Sequence, residues 1–443
     1  MKFKKTLILL LSFIMLFAAI AGCGSKDKGE DKAEDKKEEK VEEKKEEKAE
    51  DKKEEKAEDK KEEKSEDKKE EKEEKKEVSD SSYDELDTFH IGWIAPLTGP
   101  GAMTGEFAKN AIDMWMEDYG TILDKPVEIH LEDSQHTDQG SANAYLRLAS
   151  RGDISAFGGG HYSTQGLAYM PYVLEYEIPT IHHGSSVAFA KQVHEGNVWS
   201  WQNRISDAGT GSAIADAAIT VLEMDKICIM HDTNSFGQGL ADSVVARLKD
   251  EHGVDPELIL SYSTGEANFD PYVSQLENAG CDSLIVLAHP NETALIQIAT
   301  ADLDIKKLGS PDSGAATTLE LSGDAAAGWH SIADFVPTVE DEPAKSFAAK
   351  YLEKHGMDPD MNSSSSYDIL TIIKEAAEAA GSADPQAIND AIADVEFQGI
   401  GSYYKFNDDH IGATYQFLAK NEDFGDRYAP VVVDKIMRAD VAK

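Results

Sequence analysis

The sequence predicts an α/β protein of two lobes, each lobe a mainly parallel sheet flanked by helices. From residue 90 onward, short apolar runs rich in β-branched residues alternate with helical patterns of ten to eighteen residues, and this alternation is typical of parallel α/β layers. Eight such apolar runs are too many for one compact domain of about 150 residues. We therefore expect two lobes, with the break near Arg204 to Asp207.

The apolar runs and the helical patterns give the order of the elements. Predicted strands cover residues 90–95, 127–131, 154–157, 179–181, 226–230, 258–262, 283–288 and 305–308. Predicted helices cover residues 103–118, 138–150, 164–175, 208–223, 238–251, 270–279, 292–300, 341–355 and 363–380, and a strand-like tail runs from 401 to 435. We assign residues 83–205 and 336–400 to lobe 1, and residues 206–335 and 401–443 to lobe 2.

Residues 1–22 are predicted to be a secretory signal peptide. Three lysines among the first five residues precede an apolar run from Leu7 to Ala21, which is shorter than the ~20 residues of a bilayer-spanning helix. The run ends in Ile20-Ala21-Gly22-Cys23, which resembles the lipobox of bacterial lipoproteins. That resemblance implies that Cys23 is acylated and anchors the mature chain to a lipid bilayer. An uncleaved helix with a buried cysteine is the alternative.

Residues 23–82 are predicted to be a charged tether, because the octad AEDKKEEK and close variants recur five times from Ala33 to Lys72. Charged residues four apart in this repeat have like charge, as Glu34 and Glu38 do, and each such pair destabilises a helix by ~0.2–0.5 kcal/mol. One small or apolar residue per octad also leaves no face to bury. We therefore expect a solvated, largely disordered spacer.

The composition excludes several classes of protein. The 443 residues carry a formal net charge of −40, which opposes nucleic-acid binding through phosphate neutralisation. Three cysteines cannot form a disulfide scaffold, and zinc-type Cys/His spacings are absent. The chain also has no G-x-S-x-G, H-E-x-x-H or G-x-x-x-x-G-K-[ST] motif. We predict that the protein is not an enzyme and uses no cofactor.

Polar and glycine-rich clusters follow the predicted strands. In open parallel sheets ligands bind beyond the carboxyl ends of the strands, so these clusters are candidates for a binding cleft. Free backbone N–H groups beside hydroxyls suit a carboxylate. The clusters are Pro96–Gly101 with Thr104-Gly105, Gly158–Gln165, His182–Ser186, His231-Asp232 with Phe236-Gly237, His289–Asn291 and Ser310–Gly314.

These residues, in this order, resemble the leucine/isoleucine/valine-binding protein family, the type I extracytoplasmic solute-binding proteins of ABC transporters. The resemblance covers about Phe89 to Phe406. It implies the type I periplasmic-binding-protein fold, with two lobes joined by three crossover strands and closing over a small ligand. The segments that carry it are Ile91–Pro100, Ser163-Thr164-Gln165, His231-Asp232, Phe236–Gly239, Gly323–Gly328 and Tyr367-Asp368.

The family also implies roles for individual residues. Asp312 matches the acid of the second lobe that holds the α-ammonium of the ligand, by a charge-assisted bond; the alternative is that Pro311–Gly314 is only a turn. Gly184 and Ser186, with Ser185 between them, match the first-lobe groups that hold the ligand carboxylate. Ser163 and Thr164 end a neighbouring loop of that lobe, and the alternative for these two is capping of the following helix.

The departures from the family concern specificity. His161 stands beside Tyr162 where many relatives have serine, Phe236 replaces a tyrosine, His289 replaces another aromatic residue, and Thr104 replaces an aromatic residue of the first loop. We include these five residues in the predicted site, which leaves aromatic or more polar ligands open.

Five histidines lie at predicted strand ends: 161, 182, 183, 231 and 289. They are on separate loops without tight spacing, so we expect one or two to contact the ligand, the others to satisfy local structure, and no metal site. Cys228 and Cys281 both fall in lobe 2. We expect buried free thiols at these two positions and not a bridge.

The resemblance implies a set of partners. They are a small-molecule ligand such as a branched-chain amino acid, ABC permease subunits and a separate ATPase, because this chain has no nucleotide motif. The predicted location is extracytoplasmic, at the cell membrane through acylated Cys23. A sensor that passes ligand occupancy to a receptor is the alternative, since it needs the same closing cleft.

Overall fold

A computed structural model describes residues 82–439. The predicted signal peptide, Cys23 and nearly all of the predicted tether lie outside the described residues. In the segment from 82 to 439, no helix is long and apolar enough to cross a bilayer.

The strands of this part of the chain form two large sheets and one small one. The strands are β1 Phe89–Ala95, β2 Thr121–Ile122, β3 Lys125–Asp133, β4 Ala156–Gly159, β5 Thr180–His182, β6 Ser200–Gln202, β7 Ile227–Asp232, β8 Leu258–Tyr262, β9 Ser283–Leu287, β10 Lys306–Gly309, β11 His330–Ala333, β12 Glu396–Gln398, β13 Tyr403–Lys405, β14 Tyr415–Asp423 and β15 Tyr428–Met437. The helices are α1 Ser82–Glu85, α2 Ala102–Asp118, α3 Asp138–Ala149, α4 Ser163–Tyr176, α5 Val187–His194, α6 Asp207–Thr220, α7 Ser235–Asp250, α8 Asp270–Ala279, α9 Pro290–Ala299, α10 Ala316–Ser322, α11 Ala344–His355, α12 Met361–Ala380 and α13 Pro385–Ile392.

The first sheet has the order β2-β3-β1-β4-β5-β6. Its strands are parallel except for the short β2, which is antiparallel to β3. Trp93 of β1 and Trp115 of α2 are fully buried in its core. The Trp115 indole donates a hydrogen bond to Thr371 of α12, 3.2 Å away, so this late helix packs on the first sheet.

The second sheet has the order β15-β14-β11-β10-β9-β7-β8. Strands β8, β7, β9, β10 and β11 are parallel, and β14 is antiparallel to both of its neighbours. Helices α6 and α7 cover one face through Ile214 and Leu240, both fully buried. The predicted fold class of two mainly parallel sheets flanked by helices is confirmed.

The chain passes between the two sheets three times. The passages follow Gln202 of β6, Ala333 of β11 and Lys405 of β13. Tyr404 of β13 still packs in the core of the first sheet, so the third passage lies between Lys405 and Tyr415, a few residues beyond the predicted boundary at 400.

All eight predicted strands and all nine predicted helices are present, with ends shifted by a few residues. Asp360 shows how one end is fixed: its carboxylate accepts hydrogen bonds from the N–H groups of Asn362 and Ser363, at 2.9 and 3.2 Å, and so caps α12. Several short elements were missed, because they hold too few residues for a periodic pattern. They are α1, β2, α5, β6, α10, β11, α13 and β12.

The prediction for the two lobe-2 cysteines was wrong. Cys228 and Cys281 form a disulfide, with Cα atoms 5.9 Å apart. The reason is that β7 and β9 are neighbours in the second sheet, paired from Ile227 with Ser283. Cys281 lies just before β9, so the pairing of the strands places the two sulfurs together. Stable disulfides are typical of oxidising, extracytoplasmic compartments.

Candidate ligand-binding site

A small cavity lies between the two sheets, among residues that follow the carboxyl ends of strands in both. Its open volume is only about 10 Å³. Side chains therefore nearly fill the cavity. It is lined by Thr104, His161, Tyr162, Ser163, His183, Gly184, Ser185, Arg204, Phe236, His289, Pro290, Asp312, Met361 and Asn362.

Most of the residues predicted for the site meet at this cavity. The nine that line it are Thr104, His161, Tyr162, Ser163, Gly184, Ser185, Phe236, His289 and Asp312. Thr164 and Ser186 do not line it. The Ser186 hydroxyl instead accepts a hydrogen bond from the N–H of Ala188 and caps α5. Helix α4 begins at Ser163 without a side-chain cap, so the capping alternative for Ser163 and Thr164 is not observed.

The backbone after β4 and β5 brings the first-lobe residues together. Gly160 has φ +65, a left-handed conformation that residues with a side chain rarely adopt. This turn lets the N–H groups of His183 and Gly184 donate to the carbonyls of Gly159 and Gly160, at 2.8 and 2.9 Å. The two loops are therefore held side by side, with His161 and His183 rings 5.0 Å apart.

Aromatic rings connect the two lobes across the cavity. The ring of Tyr162, from the first lobe, meets the ring of His289, from the second, edge to face at 4.8 Å. His289 stacks on Phe236 at 4.7 Å, and His136 contacts the other side of Tyr162 at 4.4 Å. The Tyr162 hydroxyl is hydrogen-bonded to Thr104, 3.0 Å away. Burial raises the pKa of Tyr162, so this hydroxyl stays protonated.

Several polar atoms of the first lobe are buried at the cavity without a partner at normal hydrogen-bond geometry. They are both ring nitrogens of His161, Nδ1 of His183 and the hydroxyl of Ser185. Burial lowers the pKa of His161 to about 4, an effect that the nearby Asn362 amide partly offsets, so the ring is neutral at neutral pH. Leaving such groups unpaired is costly. They are therefore available to a ligand.

The tautomer and charge of the His183 ring follow from its neighbour Arg204. The Arg204 guanidinium can only donate, and its Nη1 lies 3.2 Å from Nε2 of His183. That ring nitrogen therefore accepts, and in the neutral imidazole the proton is on Nδ1. Burial and the charge of Arg204 lower the pKa of His183 well below its usual value. His183 thus presents a single N–H donor.

Asp312 is the acid that the second lobe contributes. It lies in a short 3₁₀ helix, Pro311–Gly314, so the predicted turn is present and also carries a residue of the cavity. The Asp312 side chain is only 4% exposed, and its Oδ2 lies 3.7 Å from Nδ1 of His289. A buried carboxylate on one side of the cavity therefore faces neutral donors on the other.

Sequence reasoning missed five residues that line the cavity: His183, Arg204, Pro290, Met361 and Asn362. His183 and Pro290 belong to the predicted clusters His182–Ser186 and His289–Asn291 but were not included among the predicted site residues. Arg204 lies on the first passage between the lobes, and its Nε donates to Oδ2 of Asp334, 2.8 Å away. The only signal for Arg204 in the sequence is an isolated arginine shortly after an apolar run. Met361 and Asn362 open α12, which is distant in sequence from the other loops.

The five strand-end histidines separate into two groups. His161, His183 and His289 line the cavity. His182 is buried and bonded to the hydroxyls of Tyr169 and Ser200, at 2.9 and 3.1 Å, and His231 bonds to the carbonyl of Asp232 at 3.0 Å. These last two satisfy local structure.

Two buried acids close to the cavity have raised pKa values. Burial raises the pKa of Asp207 to about 7, against the opposing effects of Ser185 and Arg204. Burial also raises the pKa of Asp360 to about 6, against its hydrogen bonds from Asn362 and Ser363. Both carboxyls are therefore partly protonated near neutral pH, and they add less negative charge around the cavity than their number suggests.

A larger cavity of about 610 Å³ adjoins the first and shares Met361 with it. It is bounded by α10, the loop before α12 and the turn between β14 and β15. Its charged lining is Glu320, Asp324, Asp334, Asp358, Asp360, Asp423, Asp426 and Arg427. Of these seven acids, Asp334 pairs with Arg204 and Asp358 with Arg427. The other five still make this space favourable to cations and unfavourable to anions.

Two mainly parallel sheets that are joined by three passages of the chain, with a polar cavity between them, define a two-lobed binding protein. A family model described as periplasmic binding protein matches residues 88–423. The chain belongs to this family, and the resemblance to the leucine/isoleucine/valine-binding proteins is confirmed. Family members are extracytoplasmic.

Known relatives agree with this assignment. The chain is 25% identical over 308 residues, 68% of this chain and 81% of the relative, to Leu/Ile/Val-binding protein homolog 1 of Brucella abortus. Its fold is similar to that of a leucine-binding protein from Thermotoga maritima, with a TM-score of 0.72, 22% identity and coverage of 79% and 99% of the two chains. It is also similar to a solute-binding protein of an ABC transporter from Rhodopseudomonas palustris in complex with 3,4-dihydroxybenzoic acid, with a TM-score of 0.74, 19% identity and coverage of 80% and 98%.

Proposed function

We propose that this chain is the extracytoplasmic solute-binding protein of an ABC importer and captures an amino-acid-like zwitterion between its two lobes. One observation carries the proposal: the buried carboxylate of Asp312 and the unpaired first-lobe donors line the same small cavity. A carboxylate suits an ammonium group, and neutral donors suit a carboxylate. The names of the Brucella and Thermotoga relatives support this ligand class.

In this proposal the ligand carboxylate binds on the first-lobe side. The donors are the hydroxyls of Ser163 and Ser185 and the Nδ1–H of His183, with Gly184 between the last two allowing close approach of the ligand. All of these residues line the cavity, and neither Ser185 Oγ nor His183 Nδ1 has a partner at normal hydrogen-bond geometry. The ammonium binds Asp312 on the opposite side. The protein binds its ligand and does not transform it.

The specificity side of the cavity is formed by Tyr162, Phe236 and His289. In the binding event these rings pack against the ligand side chain. Because only about 10 Å³ is open to water in this conformation, ligand entry requires Tyr162 and His289 to separate. We propose that lobe 1 is residues 83–205 with 336–405, because Tyr404 packs in the first core, and that lobe 2 is residues 206–335 with 415–443. The two lobes open about the three passages.

An aromatic acid is the second candidate ligand. The aromatic rings of Tyr162, Phe236 and His289 favour such a ligand. The Rhodopseudomonas relative was crystallised with 3,4-dihydroxybenzoic acid. Two features oppose it. Such an acid offers no cation to Asp312, and the adjoining cavity is strongly acidic, which repels an anion on its approach. The balance of charge therefore favours a zwitterion.

Calorimetry with leucine, isoleucine, valine and 4-hydroxybenzoate is expected to show heat of binding for at least one aliphatic amino acid and none for the benzoate. Small-angle scattering with the same solutes should show compaction only with the solutes that bind, because closure needs contacts from both lobes. Binding of the benzoate alone would assign the second candidate. Scattering curves that do not change, with no heat from any solute, would contradict both candidates.

Membrane anchoring is part of the same proposal. Acylated Cys23 would hold the chain on the outer face of the cytoplasmic membrane, and the charged segment up to residue 82 would carry the binding lobes toward separate permease and ATPase subunits. We expect wild type in the membrane fraction and a Cys23→Ala variant in the soluble fraction, since lipid chains supply the membrane affinity. A Cys228→Ala/Cys281→Ala variant, which lacks the disulfide, is the control for loss of the other two cysteines. Equal membrane recovery of the Cys23→Ala variant would contradict anchoring at this residue.

A further inference from the structure

We propose that lobe 1 carries a transition-metal site, formed by His90, Glu128 and His130, that has no part in ligand binding. One possible ligand atom from each of these three side chains lies within 4.8 Å of the other two. In the stretch from 82 to 439, no other group of three or more His, Cys, Asp or Glu residues meets this geometry. We refer to the three residues as the His90–His130 site.

The sheet itself sets the positions of the three side chains. His90 on β1 pairs with Glu128 on β3, and Gly92 pairs with His130. Side chains two residues apart on a strand point to the same face, so His90, Glu128 and His130 share one face. The core residues Phe89 and Ile91 occupy the other face. Two backbones already hydrogen-bonded to each other therefore fix the two imidazoles.

The distances suit a tetrahedral ion of the zinc type. Nδ1 of His90 lies 2.9 Å from Nε2 of His130, and zinc–nitrogen bonds of about 2.0–2.1 Å put two ligand nitrogens about 3.3 Å apart. Moving the rings apart by a few tenths of an ångström makes room for the ion. One oxygen of the Glu128 carboxylate lies 3.8 Å from His90 Nδ1, a proposed ligand atom. The other lies 3.7 Å from Nδ1 of His130, the ring nitrogen that does not face His90. With its side chain 60% exposed, Glu128 can rotate to become the third ligand.

A second carboxylate stands behind His90, as is usual for metal-binding histidines. Asp153 Oδ2 lies 3.9 Å from Nε2 of His90, on the side of the ring away from His130. The Ser155 N–H donates to the His90 carbonyl at 2.9 Å, which holds this loop in place. Asp153 also pairs with Arg151 at 2.8 Å, and this pair fixes the carboxylate beside the imidazole.

The donor set determines the class of ion. Two imidazoles and one carboxylate suit Zn²⁺, Cu²⁺ or Ni²⁺ and do not suit Mg²⁺ or Ca²⁺, which prefer oxygen ligands. His90 is five residues before Ala95, the end of β1 nearest the cavity, or roughly 16 Å along the strand. The ion would therefore join β1 to β3 and stabilise lobe 1 without touching the ligand.

The test is Zn²⁺ binding by the full chain without an affinity tag. Calorimetry and thermal unfolding are run in excess Mg²⁺, which occupies weak sites on the many carboxylates. We expect one Zn²⁺ per chain, a higher Tm with Zn²⁺, binding at least tenfold weaker in His130→Gln, and binding several-fold weaker in Glu128→Gln. His194→Gln is the matched control, because His194 also lies beside a carboxylate, 2.7 Å from Asp409, but belongs to no group of three possible metal ligands among residues 82–439.

The outcomes separate the metal site from a simple hydrogen-bonded histidine pair. Loss of Zn²⁺ binding in His130→Gln but not in His194→Gln supports the site. Zn²⁺ binding that is equal in all variants, or absent from wild type, overturns it. Circular dichroism shows whether His130→Gln is folded; if it is not, the exposed Glu128→Gln variant decides, and unchanged affinity there counts against the site.

Discussion

Replacing Asp312 by alanine is expected to weaken binding of the amino-acid ligand by roughly 2 to 5 kcal/mol, because truncating one member of a buried charge pair leaves the other charge unpaired. The Asp312 side chain is 4% exposed, and its nearest basic neighbour is His289 at 3.7 Å. In the complex the ligand ammonium would lose its only anionic contact in the cavity lining. Calorimetry with the best ligand of the amino-acid panel measures the loss.

Two further variants make this result specific. Asp312→Asn keeps the shape and removes the charge, so it should lose nearly as much affinity as Asp312→Ala if charge is the cause. Ser186→Ala removes a neighbouring polar group that caps α5 and does not line the cavity, so its affinity should stay within a few-fold of wild type. A change of less than tenfold in Asp312→Ala would remove this residue from the site.

Much of the fold could be predicted because long parallel strands and amphipathic helices carry strong periodic signals. Strand β8 was predicted with both of its ends, and helix α8 likewise. The three-residue strands β6 and β12 have no period to detect. They exist because neighbouring strands provide their hydrogen bonds, as β5 does for β6. Such contacts come from the tertiary structure and cannot be detected in the local sequence.

The site could be predicted in part for a related reason. Residues that follow parallel strands gather at one edge of a sheet, and this rule, with the family resemblance, placed Gly184 and Asp312 at one cavity. Arg204 and Asn362 could not be found in this way. Arg204 belongs to a passage between the lobes and Asn362 to the start of a helix, and neither follows a strand cluster that was predicted to bind.

The wrong prediction for Cys228 and Cys281 has the same origin. Their separation of 53 residues contains no information on distance until the strand order is known. Strand β8 lies outside β7 at the sheet edge, and β9 returns to pair with the inner side of β7. Only this reversal of order makes the two cysteines neighbours.

Asp334→Ala is expected to lower the free energy of unfolding by roughly 3 to 5 kcal/mol, the cost of leaving a buried charge without its partner. The partner is Arg204, whose side chain is 7% exposed against 10% for Asp334. Gln416 also donates to Asp334 Oδ1 at 2.8 Å. Arg204 and Asp334 lie on the first two passages between the lobes, and Gln416 lies at the start of β14, directly after the third. One carboxylate therefore connects all three parts of the chain. Chemical denaturation measures the loss.

The matched control is Asp358→Ala, which removes the partner of Arg427. The side chain of Asp358 is 13% exposed and that of Arg427 is 37% exposed. Solvent screens this pair, so the free energy of unfolding should fall by only about 0 to 1 kcal/mol.

A double variant tests the cause of the loss. Replacing Arg204 and Asp334 together by leucine should recover much of the stability lost in Asp334→Ala, because no buried charge is then left unpaired. Equal losses in Asp334→Ala and Asp358→Ala would contradict a buried charge at the hinge. Because Arg204 also lines the cavity, ligand binding by the double variant is measured by calorimetry as well. If the double variant is stable and binds the ligand but does not compact, the pair is needed for the coupling of the three passages and not for folding.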